Sequence, residues 1–279
     1  MSGPREYDMS EATRAALKPK GFFVRNAKKF PVVELFGPTI QGEGMMAGTV
    51  SHFIRLGGCG YRCTWCDSMN AVDPVQIKAN AKQMNSQQIV QALIDLTPGA
   101  PSRPWVTLSG GDPCMHDLNE LVGELGKAHY QIAVETQGQF FPEWLNFCSC
   151  VTVSPKPPSS GMDKKLDIKI LSSIMLSAVP WQQKCLKVVI FTDEDLEFAR
   201  SLHRKFPGIP FYLSVGTARP PEDERYPHSE TAFSQSGIRH NICQDFKDLA
   251  EKVCKMPDLF DVHLFPQLHV LAWSHAKGV

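Results

Sequence analysis

Short apolar runs alternate with helix-like segments along most of this chain. Strand-like runs fall at Val32–Phe36, VSHFIRL (50–56), WVTL (105–108), QIAVET (131–136), CVTVS (150–154), CLKVVIF (185–191), IPFYLSV (209–215) and FDVHLF (260–265). Helical patterns lie between them at 86–96, 117–130, around 163–175, at 193–206 and at 245–255, with a short helical turn at PEWLNF. Apolar runs too short for helices, each followed by a segment of helical period, predict βα units with a parallel sheet and helices outside. About six such units are visible, too few for a closed eight-stranded barrel. Ser86 reads as a helix N-cap, and Asp117 followed by Glu120 as a capping box.

The first 29 residues are polar and basic and precede the first apolar run, so 1–29 reads as an extension and 30–279 as a single domain. A polar, proline-rich insertion is expected at 216–240. At 279 residues the chain can bury a substantial core. Its 29 basic and 29 acidic residues cancel, which argues against a nucleic-acid or anionic-membrane footprint and for a small substrate. No run of eighteen apolar residues reads as a membrane span; Leu259 to Trp273 is broken by Asp261, His263, Pro266, Gln267 and His269. Nine cysteines, an odd number, and a polar N-terminal segment point to a reducing cytoplasm.

Three of those cysteines, Cys59, Cys63 and Cys66, stand in CGYRCTWCDS. The CxxxCxxC spacing gathers three thiolates on one loop, enough for three irons of a cubane while the fourth keeps an open position. A Cys3His zinc site, or three buried thiols, would fit the spacing too. The other six, Cys114, Cys148, Cys150, Cys185, Cys243 and Cys254, are scattered and read as buried small residues. Several polar motifs end predicted strands: SGGDP after WVTL, ETQG at the end of QIAVE, SPK after CVTV, and QLH after FDVHLFP. Functional groups of barrel-like α/β folds collect at such strand ends. Taken one at a time, the bland readings hold: Trp65 as a core aromatic, SGGDP as a strand-to-helix turn, QGEG as a surface turn, Lys156 as a solvated lysine.

Together with PTIQGEG (38–44), FIRLGGC ending at Cys59, CDS (66–68), VSPK (153–156) and PQLH (266–269), these motifs resemble the radical S-adenosylmethionine (SAM) enzymes. Within them they look like the 7-carboxy-7-deazaguanine synthase family, from about Phe30 onward. The resemblance implies a partial (β/α)6 barrel and a 4Fe-4S cluster on Cys59, Cys63 and Cys66 whose open iron chelates SAM. Reduction would split SAM into methionine and a 5′-deoxyadenosyl radical. Contacts to SAM are implied for Trp65, Cys66, Asp67, Gly111, Asp112, Glu135, Thr136, Ser154, Pro155 and Lys156; the usual acid at 112 is Glu. Ser68 would bind Mg²⁺. The implied substrate is 6-carboxy-5,6,7,8-tetrahydropterin, held by Ile40, Gln41, Gly42, Glu43, Arg55, Ser109, His269 and the terminal carboxylate at Val279.

A Gln/Glu pair suits the polar edge of a pterin, and Arg55, interrupting an apolar strand, suits a two-pronged grip on a carboxylate. The implied product is 7-carboxy-7-deazaguanine, with ammonia released and no protein acid or base assigned. An electron donor such as flavodoxin or ferredoxin and a homodimer are also implied. Two other readings remain: a radical SAM activase acting on a glycine of a partner protein, and a zinc- or cluster-stabilised interaction module.

Overall fold

A computed structural model of the chain describes residues 28–217, 235–274 and 278. The extension up to residue 27, most of the 216–240 insertion and Val279 lie outside the described residues. One nine-stranded sheet organises the rest, in the order β3-β1-β2-β4-β5-β6-β7-β8-β9. The strands are β1 (Lys29–Ile40), β2 (Val50–Leu56), β3 (Lys82–Asn85), β4 (Trp105–Gly110), β5 (Ile132–Thr136), β6 (Cys150–Val153), β7 (Gln183–Ile190), β8 (Phe211–Val215) and β9 (His263–Phe265). From β2 to β9 every neighbouring pair is parallel, while β1 runs antiparallel to both β2 and β3. The sheet curls without closing. Phe36 on β1 and Gln267 just past β9 line the same cavity, which makes the sheet a partial barrel of the expected α/β type.

Alternation along each strand sorts the side chains. Ile54, Leu56, Val106, Leu108, Ile132, Val134, Val151, Val153, Leu186 and Val188 face outward and are buried under the helices. Each such aliphatic side chain contributes roughly 1.5–3 kcal/mol by leaving water. The opposite positions carry Phe53, Arg55, Ser109, Glu135, Lys187 and Val189, which face the cavity. A strand with polar residues on one face and aliphatic ones on the other therefore marks a barrel interior built for chemistry.

Seven helices are described: α1 (Pro74–Asn80), α2 (Ser86–Leu96), α3 (Asn119–Lys127), α4 (Ile168–Leu176), α5 (Asp193–Lys205), α6 (Gln235–Val253) and α7 (Leu268–Trp273). In α2, Ile89 and Leu93 recur at helical spacing and are buried, and α5 does the same with Leu196, Ala199 and Leu202. Helix α5 also carries Asp193, Glu194 and Asp195 in its first turn and His203, Arg204 and Lys205 in its last, in the sense that complements the helix dipole. No described helix is long and apolar enough to cross a membrane.

Two expected caps differ. Asn85, not Ser86, caps α2, in a reciprocal box with Gln88; Ser86 is already inside the helix, with its hydroxyl buried and unpartnered. Helix α3 starts at Asn119 and lacks the Asp117–Glu120 box, because the Asp117 carboxylate accepts from Asn119 instead. Helix α6 begins ten residues before the expected 245. Cys243 and Cys254, expected buried, are exposed, whereas Cys114, Cys148, Cys150 and Cys185 are buried as expected.

After β1 the chain does not turn straight back. Residues 41–46 cross beneath the cavity, held where Gln41 N donates to Thr49 O and Gly48 N to Gln41 O, both at 2.8 Å. Met46 fills the space below by packing on Ala133 and Cys150. Gly44, at φ 61°, passes so close to β6 that an added Cβ would sit 3.3 Å from Thr152 Cγ2.

Candidate active site

The barrel encloses a cavity of about 420 Å³ whose upper wall is the cysteine loop. That loop is keyed to the end of β4: Gly111 N donates to Leu56 O at 2.9 Å and Asp112 N to Gly58 O at 2.7 Å. A Cβ on Gly111 would lie 2.0 Å from Gly58 O, so only glycine permits the contact. The glycines of SGGDP thus serve first to seat the cysteine loop. Across the mouth, Thr64 N donates to Ser160 O at 3.1 Å and Tyr61 Oη to Lys165 O at 3.1 Å.

Cys59, Cys63 and Cys66 all reach the cavity. Burial raises the pKa of each thiol, to about 11 at Cys63; neighbouring thiols add to the effect at Cys63 and Cys66, Asp112 adds to it at Cys59, and Lys156 opposes it at all three. Such thiols ionise when a metal takes the proton's place. The donor set fits a thiolate-ligated cluster: three sulfurs on one loop, half-buried, facing inward. Among the described residues no three His, Cys, Asp or Glu side chains converge as ligands of a single ion would. A cubane makes no such demand, since each thiolate takes a different iron.

Below the loop lies an aromatic slot. Trp65 and Phe191 rings are 4.9 Å apart, Lys156 Nζ sits 6.0 Å from the Trp65 ring, and Trp65 Nε1 donates to Ser159 Oγ at 3.0 Å. Both supports are tied to Asp195, whose buried carboxylate accepts from Ser159 N at 2.9 Å, Phe191 N at 3.0 Å and Thr192 N at 3.1 Å. Thr136 and Ser154 border the slot, and Ser154 Oγ accepts from Lys156 Nζ at 3.2 Å. Two residues expected to touch SAM do not line the cavity, Asp112 and Pro155. Asp112 is fully buried, accepting from Thr136 Oγ1 at 2.7 Å and Cys114 N at 3.1 Å, and burial lifts its carboxyl to about 6. Its short side chain turns into the protein, where it caps the 3₁₀ turn Pro113–Met115.

The floor and far wall hold the residues expected around the substrate. Ile40, Gln41, Gly42, Glu43, Arg55, Ser109 and His269 all line the cavity. Gln41 is partly spent: its Oε1 accepts from Gly42 N at 2.7 Å and Glu43 N at 3.2 Å, while Nε2 donates to Glu135 at 3.0 Å. Ser109 Oγ donates to the other oxygen of Glu135 at 3.1 Å. Glu135, expected at SAM, therefore sits among the floor residues. Arg55 is also engaged, with Nε 3.1 Å from Glu34 Oε2 and Nη1 donating to Ser68 Oγ at 3.1 Å. A two-pronged grip on a carboxylate would share Nη1 with Ser68.

Among the cavity residues that sequence reasoning missed, Lys187, Gln137, Phe191 and Gln267 bear on the chemistry. Lys187, nearly inaccessible inside the barrel, forms an ion pair with Glu43, and Gln267 Nε2 donates to the other Glu43 oxygen at 2.7 Å. Burial alone would raise the Glu43 pKa, but Lys187, His269 and the two hydrogen bonds outweigh it and hold the carboxyl at about 2. Lys187 is pushed above its ordinary value: burial opposes its charge, and Glu43 and Glu135 overcome burial. Gln137 accepts from the Cys59 thiol at 3.5 Å. Gln137 and Gln267 stood inside ETQG and PQLH, so their motifs were the signal.

No family model matches the chain. It is 40% identical over 257 residues to the 7-carboxy-7-deazaguanine synthase of Bacillus subtilis, covering 91% of this chain and 100% of that protein. To the enzyme of the same name from Bacillus cereus it is 35% identical over 252 residues, covering 90% and 99%. The solved structure of QueE from Escherichia coli superposes with a TM-score of 0.59 at 22% identity, over 86% of this chain and 95% of that one, a likeness of fold. With the cysteine loop, polar floor and partial barrel in place and near-complete coverage of two such enzymes, the chain belongs to the 7-carboxy-7-deazaguanine synthase family.

Proposed function

We propose that this chain catalyses the radical SAM ring contraction of 6-carboxy-5,6,7,8-tetrahydropterin to 7-carboxy-7-deazaguanine with release of ammonia, a step toward queuosine-type deazapurines. One observation carries the reading: the three loop thiols open onto the same cavity as the floor built from Gln41, Glu43, Arg55, Ser109 and Glu135. A flat polar heterocycle set on that floor would lie directly beneath the loop. The activase alternative gives the buried floor no task.

Cys59, Cys63 and Cys66 would hold the 4Fe-4S cluster, which with SAM supplies a radical able to take a hydrogen atom from the substrate carbon bearing the carboxylate. The chain's own work is orientation. Trp65 and Phe191 would face the adenine of SAM, and Ser154 and Lys156 its ribose and carboxylate end. Arg55 would meet the substrate carboxylate, and Ser68 would give Mg²⁺ a hydroxyl ligand beside it, oxygen donors being what that ion prefers. Glu43, Glu135 and His269 would meet the pterin's N–H and carbonyl edge. A flavodoxin- or ferredoxin-type donor, a homodimer and a cytoplasmic setting complete the proposal, with 1–29 as a peripheral extension.

The test is anaerobic reconstitution of the full chain with iron and sulfide, then reaction with SAM, reductant, Mg²⁺ and the carboxy-tetrahydropterin. About four irons per chain with acid-labile sulfide, and 7-carboxy-7-deazaguanine by mass and absorbance, are expected. SAM cleavage without that product would overturn the substrate assignment. One zinc per chain without sulfide would point to the interaction module.

A further inference from the structure

Lys187 stands on β7, where the run from Cys185 to Ile190 is otherwise apolar, with its ammonium inside the barrel. A lone lysine there is costly unless paired, and its partner is Glu43 on the floor segment. Neither oxygen of Glu43 is used up. One accepts from Lys187 and the other from Gln267 Nε2, and a carboxylate oxygen can accept more than once. Gln267 is itself fixed, since its Oε1 accepts from Thr217 Oγ1. The backbone beneath is pinned where Leu268 N donates to Gly42 O at 3.1 Å. Glu43 is therefore an ionised acceptor held from two sides, with its remaining acceptor capacity facing the cavity.

We propose that Lys187 is a positioning residue of the substrate site, fixing Glu43 as an oriented carboxylate so that the pocket selects a heterocycle presenting an amine rather than a carbonyl at its 2-position. The inference rests on the pterin reading above and adds to it the element that reads the 2-amino edge. An amine hydrogen-bonds to the carboxylate, whereas a carbonyl in the same place sets acceptor against acceptor. Specificity arises mostly from the rejection of the wrong group. Without Lys187, the buried carboxyl would take up a proton or turn away, and a protonated carboxyl can donate to a carbonyl in the same place.

The experiment uses the full chain and two stable, fluorescent probes: 6-carboxypterin, which has the 2-amino group, and 6-carboxylumazine, which has a 2-oxo group. Binding is read by fluorescence titration. Unmodified protein should favour the pterin by about tenfold or more, the scale of one charge-assisted hydrogen bond. In Lys187→Met the preference should fall to about twofold or less, by weaker pterin binding with lumazine binding held or improved. Lys187→Arg should keep most of it. Because removing one partner of a buried pair can unfold the chain, the uncharged double variant Glu43→Gln/Lys187→Met is tested alongside and should lose the preference equally. A folded single or double variant with the original preference would overturn the role of Lys187 and leave the pterin reading standing. Binding of neither probe by unmodified protein would instead overturn the pterin reading itself.

Discussion

Arg55 Nη1 donates to the hydroxyl of Ser68 across 3.1 Å, and that hydroxyl donates onward to Asp67 at 2.8 Å. Ser68 thus keeps one lone pair for a metal while lying beside the guanidinium proposed to meet the substrate carboxylate. Replacing Ser68 with alanine should raise the Mg²⁺ concentration for half-maximal turnover about tenfold or more, with iron content unchanged. Superimposable Mg²⁺ titrations for the two proteins would remove Ser68 from the metal site.

Changing Cys59, Cys63 or Cys66 to alanine should each abolish reductive SAM cleavage and deplete iron and sulfide. Cys148→Ala and Cys150→Ala should keep both, because those sulfurs are buried in the packed interior. Their cost should be about 1 kcal/mol of stability, read by urea denaturation. A Cys63→Ala protein that still cleaved SAM would refute the ligand assignment.

The Trp65–Phe191 contact, 4.9 Å between centroids, predicts a SAM effect. Aromatic pairs are worth about 1 kcal/mol, so Phe191→Ala should weaken SAM binding roughly fivefold. Equilibrium dialysis with the reconstituted protein measures it, and an unchanged dissociation constant would separate Phe191 from the cofactor.

At the start of α2 the two adjacent residues should behave oppositely. Asn85→Ala removes the capping box and should cost about 1 kcal/mol. Ser86→Ala removes a buried hydroxyl that has no partner and should be neutral or stabilising. Equal losses in chemical denaturation would contradict the cap placement.

His52 is buried, its Nε2 3.4 Å from Thr97 Oγ1 and its ring edge-on to Tyr130, and its pKa is lowered by burial and then by the charge of Arg103. The native state therefore favours the neutral ring, while the unfolded chain takes up a proton near pH 6.5. Stability should fall as pH drops through that unfolded value toward the lower native one, and be flat in this respect above it. His116, lowered by burial in the same way, acts in the same sense. His52→Gln should therefore flatten the fall in urea midpoint between pH 7.5 and 5.5. An identical slope in both proteins would show that His52 is not buried neutral.

Most of the parallel strands were legible because each carries an aliphatic face that must be covered. Strand β3, KQMN, was not: it is a polar edge strand recruited by pairing with β1. Helix α1 buries no residue and left no periodic signal. The cysteine loop was readable because its chemistry is local. Lys187 was not, since its meaning depends on Glu43, 144 positions away, and CLKVVIF reads as a core strand until the barrel shows which face is inside. Asp112 was misplaced for a related reason: a motif gives the residue, and only packing shows which way a short carboxylate turns.

The hydrogen bond from Leu268 to Gly42 joins the two ends of the described core, and His269 packs so tightly on Gly42 that an added Cβ would meet its ring at 2.0 Å. During synthesis the first strand must wait for nearly the whole chain before this contact can form. The cysteine loop, by contrast, can settle on β4 as soon as about residue 112 has emerged. A ribosome-bound or C-terminally truncated chain would thus have its cysteine loop seated while the floor segment still lacked the pin from Leu268. The order of assembly leaves the proposed cluster site without its closed compartment until α7 has docked, and so places a premium on loading a cluster there late.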